Sequence, residues 1–177
     1  NSITNFVPFL FGSILINEFM YVPLSGNAEF VEIYNVSGNA IDILGWAIQD
    51  AGGNKAIITT SFALEPDSFC VLADENTIFT QFPNLEYKTI ILDGFPALNA
   101  SDDSIVLLQP DGSVVDSLNY VDDWGYQSGL SLEKIDPTAE SDNSVNWRLC
   151  INQTGGTPGT ENSITNFVPF LFGSILI

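Results

Sequence analysis

The chain has 177 residues, of which 22 are Asp or Glu and only four are Lys or Arg, for a formal net charge of −18. Such a surface repels phosphate backbones, and with no basic patch interleaved with aromatics it argues against nucleic acid and anionic membranes as partners. Histidine is absent and cysteine occurs twice, which removes the usual Ser-His-Asp triad and the common zinc patterns.

The chain opens on Asn-Ser-Ile-Thr-Asn-Phe-Val-Pro-Phe-Leu-Phe-Gly-Ser-Ile-Leu-Ile, and the same sixteen letters return at residues 162–177. A period of 161 residues is the usual size of one domain. The expected organisation is an apolar inter-domain joint at 1–12 and one domain at 13–161. Residues 162–177 then repeat the joint and start the next domain's first strand. No basic region precedes either apolar end, so neither reads as a signal peptide, and an export signal is expected outside these residues. Residues 167–177 are too short to span a bilayer and contain Pro169 and Gly173.

Short Ile-, Val- and Phe-rich runs separated by Gly, Asn, Asp and Pro give the texture of an all-β chain. A first strand is expected over 13–21, with Ile14, Ile16 and Met20 on one face and Leu15, Phe19 and Tyr21 on the other. The alternation of 29–34 turns Val31 and Ile33 inward and Glu32 outward. Residues 41–49 read as a strand with Leu44, Trp46 and Ile48 on one face, and Gly45 marks a bulge or a close backbone approach. After a turn at 50–54 come strands at 55–60 and 68–73, the second being the best candidate for a buried central strand. Residues 74–85 fit a short helix or a long loop, and 87–92 another strand. The clearest hairpin joins 104–109 to 113–120 through Pro110-Asp111-Gly112, where Pro presets one turn dihedral and Gly supplies a positive one. A loop at 122–130 carries Trp124, a last strand is expected at 131–135, and 136–161 form a polar arm anchored by Trp147. Short strands at roughly ten-residue spacing suggest a two-sheet sandwich.

Several blocks together resemble the lamin tail domain family. They begin with Ile16-Asn17-Glu18-Phe19-Met20-Tyr21, Glu29-Phe30-Val31-Glu32-Ile33-Tyr34-Asn35 and Leu44-Gly45-Trp46-Ala47-Ile48-Gln49-Asp50. They continue with Asp103-Ser104-Ile105-Val106-Leu107-Leu108, Leu130-Ser131-Leu132-Glu133-Lys134-Ile135-Asp136, Asn146-Trp147 and a closing Thr157-Pro158-Gly159. The resemblance covers about residues 14–162 in consistent order, as one unit of a tandem repeat. It implies an immunoglobulin-like β-sandwich of the prokaryotic, extracellular type, a non-catalytic module on secreted or surface proteins.

No residue pattern points to catalysis, and no cofactor is expected. The one ligand hypothesis with chemical support is calcium, for which Asp102, Asp103, Asp122 and Asp123 supply hard oxygen atoms. An extracellular chain could bridge Cys70 and Cys150, tying the arm to the core; two buried thiols is the equal alternative. Trp124 and Trp147 would make a sugar-stacking platform if exposed, although pinning loop and arm to the sandwich is the more ordinary role for both. Three glycosylation sequons begin at Asn35, Asn99 and Asn152.

The joint carries the functional expectation. Phe6, Val7, Pro8, Phe9, Leu10 and Phe11, with their second copies Phe167, Val168, Pro169, Phe170, Leu171 and Phe172, form an uncharged segment unlike a polar flexible linker. Exposing each large apolar side chain would cost about 1.5–3 kcal/mol relative to burial, so the segment is expected to pack, with Ile175 and Ile177 continuing into a strand. The expected partner is therefore self, as adjacent identical repeats or subunits joined head to tail or by strand addition. The expected role is structural, in an extracellular or cell-surface filament, stalk or array. The alternative is an adhesive or carbohydrate-binding surface module.

Overall fold

The first strand, β1 (Ile14–Met20), is buried along its whole length, and its two faces do not simply alternate. In the computed structural model, which describes residues 12–165, the pairing of β1 with β2 (Phe30–Asn35) shifts register between Ile16 and Glu18. The extra residue, Asn17, reverses the parity of everything after it. Phe19 and Tyr21 therefore join Ile14 and Ile16 in the main core, while Met20 goes to a second, smaller core. This corrects the expected faces.

Ten further strands follow: β3 (Ile41–Asp42), β4 (Ala47–Gln49), β5 (Lys55–Ile57), β6 (Ala63–Leu64), β7 (Phe69–Ala73), β8 (Thr89–Ile91), β9 (Asp102–Leu108), β10 (Val114–Val121), β11 (Leu132–Lys134) and β12 (Trp147–Leu149). One sheet has the order β12-β11-β1-β2-β7-β8, the second β10-β9-β4-β5, and β3 and β6 form a two-stranded ribbon. The two main sheets enclose Ile14, Ile16, Val31, Ile33, Trp46, Ile48, Cys70, Leu72, Ile105, Leu107, Leu118 and Trp147. The result is the expected all-β sandwich.

The hairpin β9–β10 turns as read, with Gly112 at φ 84° and its N–H donating to the Gln109 carbonyl. Residues 41–49 are not one strand. The chain turns between β3 and β4, Leu44 is half-exposed, and Gly45 passes so close to Pro110 that a Cβ there would lie 3.2 Å from its Cγ. A single helical turn, α1 (Ile78–Gln81), sits on the outer face of the six-stranded sheet. Its Ile78, with Phe82 and Leu85 beyond it, packs on Phe30, Val71 and Ala73.

The polar arm contributes β12, a strand hidden by its length of three residues. Trp147 on it is fully buried, donates from Nε1 to the Ser141 carbonyl at 2.8 Å, and meets Phe19 edge-on at 5.2 Å between ring centres. The expected domain boundaries also move. The Gly12 N–H donates to the Val115 carbonyl, so the sandwich includes Gly12, and it extends at its other end through Thr165, as described below. No helix among the described residues is long and apolar enough to cross a membrane.

Candidate functional site: a carboxylate cluster beneath the C-terminal arm

Three neighbouring strands each place one glutamate on the outer face of the large sheet. Glu18 lies opposite Glu32 on β2 and opposite Glu133 on β11. All three are fully buried. The outward direction read for Glu32 is right relative to the main core, but the side chain there is buried rather than exposed. Residues 150–165 cross over the carboxylates and supply hydrogen bonds to all three, with Asn17 and Ser131 contributing from the sheet side.

Thr157-Pro158-Gly159 is the centre of that cover. The Thr157 N–H donates to Glu18 Oε1 at 2.9 Å, joined there by Ser131 Oγ at 2.6 Å. The Gly159 N–H donates to Glu32 Oε2 at 2.5 Å, and Pro158 between them has no N–H to leave unpaired. Thr157 Oγ1 lies 2.7 Å from Glu133 Oε1 and 3.4 Å from Glu18 Oε2. A hydroxyl has one proton and cannot donate to both. The arrangement closes when Glu18 is protonated, donating to Thr157 Oγ1 while that hydroxyl donates to Glu133.

The electrostatics agree. Burial, reinforced by the charge of Glu133, pushes the Glu18 carboxyl up to about 8. Burial and the neighbouring Glu18 also raise Glu32 well above the carboxylate range. The one buried cation among the described residues, Lys134, is engaged elsewhere. It donates to the Ala139 carbonyl, lies 5.7 Å from the centre of the Trp147 ring, and is lowered to about 8 by burial against the opposing pull of Asp116 and Asp136. Asp116 in turn accepts from Ser141 Oγ and from the Ile16 N–H next to the β1 bulge.

The arm continues into the second copy of the repeated stretch. Asn162 is buried, with Nδ2 donating to the Lys134 carbonyl at 2.9 Å and Oδ1 accepting from Asn17 Nδ2 at 2.9 Å. Asn17 Nδ2 also donates to Glu32 Oε1 at 2.8 Å. Ser163 Oγ donates to Glu133 Oε2 at 2.7 Å and accepts from the Ile151 N–H. Ile164 is buried beside an apolar groove lined by Trp124, Leu149 and Ile151, and Thr165 turns back onto the Asn162 carbonyl. The first four residues of the second copy therefore belong to the preceding sandwich, contrary to a boundary at 161/162.

The residues singled out from sequence fare differently. Those of the joint, 6–11 and 167–177, lie outside the described residues. Cys70 and Cys150 are free and buried. β7 and the neighbourhood of β12 are four strand steps apart in the sheet, about 19 Å, far beyond the roughly 7 Å limit between Cα atoms for a disulfide. The bridge is thus corrected to two isolated thiols, and a reductant is expected to leave the melting temperature unchanged; a drop of several degrees would contradict this.

Among the proposed calcium ligands, Asp103 is buried and its carboxylate is taken up by the N–H groups of Ala51, Asn99 and Ser104. Asp102, Asp122 and Asp123 are exposed. Among the described residues, no group of three or more His, Cys, Asp or Glu side chains is placed to hold a metal ion. Trp124 stacks on buried Trp147 with 6.3 Å between ring centres, so the pair pins the loop and arm rather than forming an open platform. Asn35 is also withdrawn as an acceptor, because its buried amide bonds the Asn39 and Leu64 carbonyls.

Sequence reasoning missed the three glutamates. The signal available was the Thr-Pro-Gly trio, whose two donors flank a residue that has none.

These elements define an immunoglobulin-like sandwich module whose carboxylates are sealed beneath its own C-terminal arm. Comparison with protein families matches residues 11–122, well over half the chain, to the Lamin Tail Domain. The chain belongs to the lamin tail domain family, an immunoglobulin-like, non-enzymatic structural fold. No curated protein matches it.

Proposed function

We propose that this chain is a non-catalytic structural module of an extracellular filament, stalk or surface array, built from repeated sandwiches joined head to tail. The observation that carries this reading is the duplicated stretch. Its first four residues, seen at 162–165, pack on one sandwich, and its last five, seen at 12–16, begin one. A segment with one end in each role suits a joint between like units. The extracellular placement rests on the family resemblance, and neither a cofactor nor a bound cation is required. A carbohydrate-binding role is less well supported, because its platform would need Trp147 at the surface.

Imaging of the purified chain and of the native material tests the proposal. Regular fibres with one repeat per sandwich are expected. Removing residues 1–11 together with 166–177 should abolish them while shifting the melting temperature little, whereas removing 162–177 should also destabilise the sandwich. A full chain that stays dispersed and monomeric at high concentration would count against the reading, as would fibres indifferent to loss of both copies of the apolar segment.

A further inference from the structure

The site occupied by Asn162-Ser163-Ile164-Thr165 is specific. Asn162 fills a buried polar slot between Asn17 and the Lys134 carbonyl, Ser163 bridges Glu133 and the Ile151 N–H, and Ile164 is buried. Ser163 Oγ also lies 3.5 Å from Cys150 Sγ. The same four side chains, in the same order, stand at Asn1-Ser2-Ile3-Thr4. A site that reads these four residues cannot distinguish the two copies by their side chains.

We propose that Asn1-Ser2-Ile3-Thr4 is a docking segment for this site on another copy of the sandwich, where it meets the other copy's Asn17, Glu133, Lys134 and Cys150. The occupant is a second copy of this chain or unit. The inference rests on the structural-module reading and names the contact that would join the units. The sixteen-residue stretch then has three parts: four residues that grip one sandwich, seven at 5–11, and five at 12–16 that open the next. From Thr4 to Gly12 is eight residue steps, a reach of at most about 29 Å even when fully extended. Gripped and opening sandwiches are therefore close neighbours. When the site already holds its own 162–165, the tether gives that copy the advantage of effective concentration. Exchange between separate chains then requires its displacement.

The short distance from Ser163 to Cys150 supplies the test, performed on the full chain under mild oxidation. Ser163→Cys should close an intrachain disulfide with Cys150, which checks the docked geometry itself. Ser2→Cys combined with Ile164→Asp, which weakens the resident segment, should give a ladder of covalent multimers on a non-reducing gel. Cys150→Ala in the same chain should abolish the ladder. Ile164→Ala provides a milder opening should the aspartate variant lose its β-sheet circular dichroism. The proposal is overturned if Ser163→Cys closes while the Ser2→Cys chains stay monomeric or form only an intrachain bond. A dimer that survives Cys150→Ala reflects pairing of the introduced thiols with each other, and overturns it equally. Fibres without the ladder would leave the module reading standing and remove this contact. A ladder without fibres would do the reverse.

Discussion

Raising the pH from about 5 to about 8 should lower the melting temperature of this chain by roughly 5–10 °C, on the order of a few kcal/mol for a domain of this size. The unfolded chain ionises its glutamates near 4.5, whereas in the folded chain Glu18 is raised to about 8, Glu29 to about 7, and Glu32 well above 4.5. Burial is the leading cause in each. Between these limits the folded state binds more protons than the unfolded one, so stability falls as pH rises. The contribution is fully present below about 4.5 and lost as the pH passes through the folded values. Lys134, lowered to about 8 from 10.5, works in the opposite direction at higher pH, so the decline should level off there.

Self-repulsion in a chain of net charge −18 runs the same way, and Glu18→Gln separates the two effects. The amide imitates the neutral carboxyl, so the variant should melt higher than the parent at pH 8. Its slope should be shallower by up to one proton, about 1.4 kcal/mol per pH unit. Thermal melts at fixed ionic strength read this directly. A parent whose melting temperature is flat or rises from pH 5 to 8 would refute buried, protonated Glu18 and Glu32. So would a Glu18→Gln chain with an unchanged slope.

The second large effect is at Gly155, where the arm passes over the loop before β11. Its φ is 85°, and a Cβ there would lie 2.1 Å from the Gly129 carbonyl oxygen. Gly155→Ala therefore combines left-handed backbone strain with a backbone collision that no rotamer change relieves, and should cost about 3 kcal/mol or more. The arm would lift, taking the Thr157 and Gly159 donors from Glu18 and Glu32. Gly112→Ala is the control, having a similar φ of 84° but open space around the position; about 1 kcal/mol is expected there. Equal losses in denaturant titrations of the two variants would show that the arm is not held against the Gly129 loop.

The parts of the fold legible in the sequence are those where the cause is local. Alternation in β2, the Pro-Asp-Gly turn between β9 and β10, and the apolar run of β7 each contain their explanation within a few residues. The faces of β1 are not legible because nothing in Ile14–Met20 announces an extra residue; the bulge exists only through pairing with β2. Glu18, Glu32 and Glu133 look like ordinary outward-facing acids because their cover arrives from residues 157–163, as many as 139 positions away in sequence for Glu18. β12 is too short for a period to show. The joint was legible only as a repeated string. The docking of 162–165 gives one end of that string a partner, which composition could not do.

The long separation between the carboxylates and their cover has a consequence for the order in which the molecule is completed. Glu18 and Glu32 are synthesised before Thr157, Gly159 and Ser163. Until those residues arrive, the outer face of β1 and β2 is open to water, where its carboxylates ionise in the ordinary range. Negative charge on an unfinished sheet opposes pairing with a neighbouring chain in the same unfinished state. Arrival of the arm is then accompanied by proton uptake, converting charges that kept the nascent sheet apart into neutral groups that hold it closed. On this order the same side chains oppose association of the uncovered sheet and, once the arm is in place, seal it.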